Sequence, residues 1–262
     1  MLRFPTCFCT HNGTTSVSGL LILAIAFAGC GKQTATFEPR PVPEPELSVG
    51  DQAPAFRFSQ LVLGDPVSEA EAQGVQVIEF WATWCGPCLK GMPHLSALQQ
   101  EYGAEVTIVG VTEEPPATVA TFLGSTSIEG TPWRDVIKYR LALDDRGATS
   151  AAYMKAAGQS GIPTAFIVGK DGVIDWIGHP AEMDEPLRAV VDGTWDRDAA
   201  REEFLLESRA NAYEADLRKA LSRGNWAEAR IAIDSIESVT GKTETTAQMR
   251  QAVEEMAARG GS

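Results

Sequence analysis

The sequence predicts an α/β protein, a packed sheet with helices on both faces, followed by a smaller all-helical region. Two patterns carry this expectation. Short apolar or alternating runs recur between about residues 55 and 177, separated by segments of helical spacing, as in a sheet layered between helices. From Asp196 onward the texture changes to Ala, Glu, Arg and Leu at helical periodicity. With 262 residues, 44% of them apolar and 22% charged, the chain has the means to bury a full-sized core.

Taken in order, residues 1–29 read as an export signal. A polar start with a single Arg3 precedes the apolar run 20–28, which falls well short of the roughly 20 residues of a membrane span and ends in small side chains. Ala26-Phe27-Ala28 fits a signal-peptidase site, whereas Phe27-Ala28-Gly29-Cys30 resembles the lipobox of bacterial lipoproteins. The second processing route places a lipid on Cys30 and ties the chain to a membrane. In residues 30–47, Pro39, Pro41, Pro43 and Pro45 alternate with other residues, which favours an extended spacer.

A domain is expected over 48–195. Its strands are a short leading one at 55–58, the almost continuously apolar 75–81, then 105–111, 138–143, and a hairpin of 165–168 and 173–177 turning at Asp171-Gly172. Helices are expected at 86–101, kinked by Pro93, at about 116–124, as an insert around 147–157, and at about 184–192. In the helical region 196–262, Phe204, Leu205, Tyr213, Leu217 and Leu221 share one face. Arg223-Gly224-Asn225 breaks the helix, Trp226, Ala229, Ile233 and Ile236 mark a second, and a third runs from about 243 to 258. The wording of 224–229 resembles part of a tetratricopeptide repeat, although one hairpin is too little for an array.

A net charge of −13 without a basic cluster argues against a nucleic-acid partner. Of five cysteines, Cys7 and Cys9 leave with the signal and Cys30 takes the lipid, so Cys85 and Cys88 remain. They sit in Trp84-Cys85-Gly86-Pro87-Cys88, where an apolar strand gives way to a helix. Two cysteines three apart on a first helical turn lie one above the other, close enough to form a disulfide, and the helix start favours a thiolate. The pair is either a lone staple or a working redox couple. His11, His94 and His179 form no ligand pattern with it, so no metal and no cofactor are expected.

Phe80-Trp81-Ala82-Thr83-Trp84-Cys85-Gly86-Pro87-Cys88, followed by Gly161-Ile162-Pro163-Thr164, resembles the thioredoxin superfamily. Within it, Met92-Pro93 and the stretch from Asp145 through Tyr153 to Phe166 look most like extracytoplasmic TlpA-like thiol-disulfide oxidoreductases, with a redoxin (AhpC/TSA-like) domain over about 48–195. The resemblance implies a thioredoxin fold with a central mixed sheet. It makes Cys85 the exposed attacking thiolate, Cys88 the buried resolving thiol, and Glu79, six residues before Cys85, the acceptor of the Cys88 proton. Pro163 matches the family's cis-proline, which sets the Ile162 backbone beside Cys85 for a client segment to pair with. Trp84 is expected on the rim of that groove and Trp81 either on the groove or in the core.

The implied function is reduction of protein disulfides outside the cytoplasm, with protein thiols and disulfides as partners and an unidentified upstream electron donor. A thiol peroxidase and a redox-inert scaffold are the competing readings.

Overall fold

The computed structural model describes residues 39–127 and 130–260. The expected signal, Cys30 and the first part of the spacer lie outside the described residues. Strands β1 (Phe58–Leu63), β2 (Val75–Phe80), β3 (Val106–Thr112), β4 (Arg140–Asp144), β5 (Thr164–Val168) and β6 (Ile174–Gly178) form one sheet in the order β1-β4-β3-β2-β5-β6. β3 pairs in parallel with β2 and β4, and the other three pairings are antiparallel. The sheet is therefore mixed, as the family resemblance implies.

The continuous apolar run of β2 follows from its place. It is hydrogen-bonded on both edges, to β3 and β5, and buried on both faces, so apolar side chains dominate both sets of alternate positions, with Gln76 and Glu79 the exceptions. Val75, Val77 and Trp81 enter the core on one face. There they meet α2 (Gly86–Tyr102) through Met92 and Leu95, α3 (Pro116–Gly124) through Phe122, α4 (Trp133–Val136) through Trp133 and α6 (Asp184–Asp192) through Leu187. Ile78 and Phe80 enter the opposite core with Phe166 and Tyr153. Among the described residues the remaining short α-helices of the sheet domain are α1 (Glu69–Ala72) and α5 (Ala148–Ser150), the latter continued by a π-type turn over Ala151–Lys155.

The leading and fourth strands start later than the sequence expectation places them. The leading strand lies at Phe58–Leu63 rather than 55–58, and its pairing with β4 slips twice, between Phe58 and Gln60 and between Leu61 and Leu63. Such bulges erase the two-residue alternation by which an edge strand is recognised. The fourth strand begins at Arg140, the first residue opposite β3, rather than at residue 138. α2 is one continuous element through Pro93, which is exposed.

The C-terminal region contains α7 (Arg197–Ser222), α8 (Trp226–Thr240) and α9 (Glu244–Gly260). Asp196 caps α7 by accepting from the Ala199 N–H at 3.0 Å. Arg197 donates to the buried carboxylate of Asp175 at 2.6 Å, and Arg201 to the Val49 carbonyl at 2.6 Å. The first half of α7 thus completes the second core, where Ala200 and Phe204 are buried. Its second half builds a separate cluster in which Tyr213 and Leu217 pack with Ile233, Ile236 and Val253. The Gly-Asn-Trp wording has a local cause: Gly224 takes φ 64° to turn the chain, and Asn225 caps α8 by accepting from the Glu228 N–H.

Residues 39–47 lack strand or helix pairing, yet they do not stand free of the domain. Leu47 is buried in the second core and Val42 packs on the helical cluster. The Tyr213 hydroxyl donates to the Arg40 carbonyl at 2.8 Å, while the Arg40 guanidinium pairs with Asp216.

Phe204→Ala removes a buried ring from the core that the sheet and α7 share. It is expected to destabilise the whole domain by about 3–5 kcal/mol, read as a lowered midpoint in chemical denaturation.

Candidate active site

The site is built where β2 ends. Past Phe80 the chain turns through residues 81–84 and enters α2, with Cys85 at the capping position (φ −82°, ψ 95°). Cys85 Sγ accepts from the Cys88 N–H at 3.2 Å, and Pro87, lacking an N–H, leaves one fewer donor to satisfy in the first turn. Cys85 and Cys88 are joined by a disulfide, their Cα atoms 5.3 Å apart. Both are closed off from solvent, at 4% and 2% exposure. The expectation of an exposed Cys85 does not hold in this oxidised state: Sγ is turned inward to its partner, and the Ile162 carbonyl lies 3.7 Å away.

That carbonyl belongs to a cis Ile162–Pro163 bond. The loop is held by Thr164, whose hydroxyl donates to the Gly161 carbonyl at 2.8 Å. Pro163 is buried and Ile162 half-buried. Trp84, 74% exposed, stands at the rim. Trp81 is a core residue: it is 2% exposed, its ring centroid is 5.4 Å from that of Phe122, and Phe122 in turn stacks on Trp133.

Glu79 is 1% exposed, a carboxylate sealed inside the sheet. Alternation along β2 puts it on the side of Val77 and Trp81, the side that α2 and Cys88 cover. Its neighbours across the sheet are Gly110 on β3 and Ala165 on β5, the small residues that leave room for a longer side chain. Glu79 Oε2 has no hydrogen-bond partner among the described residues. Burial alone pushes its carboxyl up to about 8. The Tyr139 hydroxyl is likewise buried and unpartnered, and burial together with the Glu79 charge raises its pKa far above the ordinary tyrosine value.

One contributor is absent from the sequence expectations. Glu114 accepts from the Thr83 N–H at 2.6 Å and from the Thr83 hydroxyl at 2.7 Å, fixing the turn that delivers Trp84 and Cys85. Its sequence signal is slight, a carboxylate just past the end of β3, beside the strand end that carries the cysteines. The two described histidines serve locally: His94 Nε2 lies 2.7 Å from Asp184, and His179 Nδ1 accepts from the Ala181 N–H.

A helix-capping Cys-x-x-Cys pair that faces a cis-proline loop, on a mixed sheet carrying a buried acid, defines a thioredoxin-like thiol-disulfide oxidoreductase. Residues 49–177 match the AhpC/TSA family, and this segment belongs to it as a redoxin domain. Three relatives give the range of similarity. FixW of Rhizobium leguminosarum is 26% identical over 151 residues, 57% of this chain and 68% of that protein. The thiol-disulfide oxidoreductase ResA of Bacillus thuringiensis subsp. konkukian is 28% identical over 135 residues, 50% of this chain and 69% of that protein. The thiol:disulfide interchange protein HelX of Rhodobacter capsulatus is 29% identical over 169 residues, 63% of this chain and 86% of that protein. α7 to α9 lie beyond the family match.

Because burial favours the neutral form of Glu79, the stability tied to that form is fully present below about pH 4.5 and is lost as pH rises through about 8. Wild type is therefore expected to fall progressively behind Glu79→Gln across that window, by a few kcal/mol, with no further change at higher pH. Urea denaturation of the oxidised proteins at a series of pH values measures the difference.

Proposed function

We propose that this protein reduces disulfides of protein clients outside the cytoplasm, with Cys85 as nucleophile and Cys88 as resolving thiol. The observation that carries the reading is the Cys85–Cys88 disulfide at the start of α2, with the Ile162 carbonyl 3.7 Å from Cys85 Sγ. A helix N-terminus stabilises a thiolate at Cys85 once the pair is reduced. That thiolate attacks one sulfur of a client disulfide, forming a mixed disulfide and releasing the other client sulfur as thiolate. Glu79, ionised, takes the proton of Cys88. The Cys88 thiolate then attacks Cys85 Sγ, forming Cys85–Cys88 and expelling the second client thiolate, which takes up a proton. Two electrons pass to the client, and the oxidised pair awaits a thiol donor upstream.

Trp84, Ile162 and Pro163 form the client contact. An extended client segment pairs with the Ile162 backbone, Pro163 keeps a backbone N–H away from the sulfurs, and Trp84 offers an apolar rim. The direction follows from Gly86-Pro87, the dipeptide of thioredoxins, whose potential is near −270 mV against about −120 mV for a strong oxidant. Export rests on the apolar run 20–28, and membrane attachment on a lipid at Cys30.

In an insulin-reduction assay wild type is expected to be active and Cys85→Ser inactive, while Cys88→Ser arrests the mixed disulfide and retains its client. A potential above about −180 mV overturns the reductant direction, and an inactive wild type leaves a redox-inert scaffold. Hydrogen peroxide turnover without a dithiol client assigns a thiol peroxidase instead. Glu79→Gln is expected to slow mixed-disulfide resolution near neutral pH by about 10²-fold, measured by quenched flow; an unchanged rate removes Glu79 from the proton transfer.

A further inference from the structure

Two hollows meet at Ile162. One, of about 460 Å³, lies between Trp84, Met154, Glu113 and Glu114. The other is a groove of about 980 Å³ whose floor is the cis-proline loop and whose far wall is α7, contributing Phe204, Glu207 and Asn211. Ile162 lines both, and its carbonyl is the group beside Cys85 Sγ. A chain laid along the disulfide from the Trp84 side therefore runs on beneath a helix outside the family match.

The charges along this groove are lopsided. Glu44, Glu46 and Glu207 line it, and none of them has an ion-pair or hydrogen-bond partner among the described residues. The cations lining it are Lys155, Arg218 and, when protonated, His179; Arg218 is engaged by Glu214. Desolvation, with the charges of Glu182 and Glu203 added, raises the pKa of Glu207. The groove is thus lined by more carboxylates than cations, an imbalance that a cation from a ligand offsets.

We infer that α7 is the second wall of the client groove, and that it selects extended polypeptide clients carrying a lysine or arginine near the reacting cysteine. The inference rests on the oxidoreductase reading and adds the specificity that α7 brings to it. Backbone pairing at Ile162 is indifferent to client sequence, whereas the α7 wall reads charge. The cysteine then sits over Cys85, while the basic side chain reaches the carboxylates of Glu207 and the Pro-rich segment.

The test uses the full chain, reduced, and two peptides that differ only in a lysine or a glutamate flanking a cysteine, each joined by a disulfide to a chromogenic thiol. The symmetric small disulfide of that thiol serves as the reference substrate. Wild type is expected to favour the lysine peptide by about tenfold in kcat/KM at low ionic strength, less at high salt. Glu207→Lys, at an exposed position, is expected to abolish or invert the preference, Glu207→Gln to reduce it, and both to leave the reference rate unchanged. Equal rates on the two peptides with a normal reference rate overturn the groove assignment alone. A wild type inactive on the reference disulfide overturns the oxidoreductase reading and the groove with it. Concentration-dependent dimers lost in Glu207→Lys, with no peptide preference, assign the groove to a second copy and overturn the proposal.

Discussion

The Cys88 N–H points at Cys85 Sγ from 3.2 Å, so a sulfur stands where a serine or aspartate oxygen usually caps a helix. Much of the site depends on that contact. It places the sulfur on the axis of α2, where the peptide dipoles favour negative charge. It also requires the chain to leave β2 in a fixed direction, which Glu114 secures by holding both the N–H and the hydroxyl of Thr83. Opposite, the cis-proline loop brings a carbonyl rather than an N–H toward the sulfur. The scaffold thus sets one sulfur at the helix start with a backbone carbonyl beside it, and seals the second among apolar side chains.

One carboxylate is buried on the same face of the sheet as Cys88. Glu79 fits there because β3 offers Gly110 and β5 offers Ala165 on either side. At Gly110 a β-carbon would fall 2.7 Å from the Leu141 side chain and 3.1 Å from the Trp81 indole, so a larger residue there requires the surrounding core to shift. Core packing and the buried carboxylate are therefore joined in one row across the sheet.

Much of this was legible in the sequence, for identifiable reasons. The dithiol, the central strand and the β5–β6 hairpin are coded locally, by a motif, a nearly continuous apolar run and an Asp-Gly turn. β1 was misplaced because its bulges break the alternation, and Glu114 was missed because its role depends on a turn 31 residues away. The closure of Cys85 was also not visible, since a disulfide state changes which way a sulfur faces. The amphipathic pattern after residue 196 announced helices, but a single helical stripe does not say what it packs against. Ala200 and Phe204 face the sheet whereas Tyr213 and Leu217 face α8, a division that emerges only once the sheet exists.

α7 is a rod of 26 residues, about 39 Å long, with one end rooted in the redoxin core and the other in the helical cluster. The family boundary at residue 177 is consequently not an excision point. A fragment trimmed there would keep the dithiol but lose Phe204 and the Arg197–Asp175 tie, baring an oily seam along β6. The smallest self-sufficient unit of this protein extends at least a turn past Phe204, so the start of α7 is a buttress of the redoxin core rather than cargo hung from it.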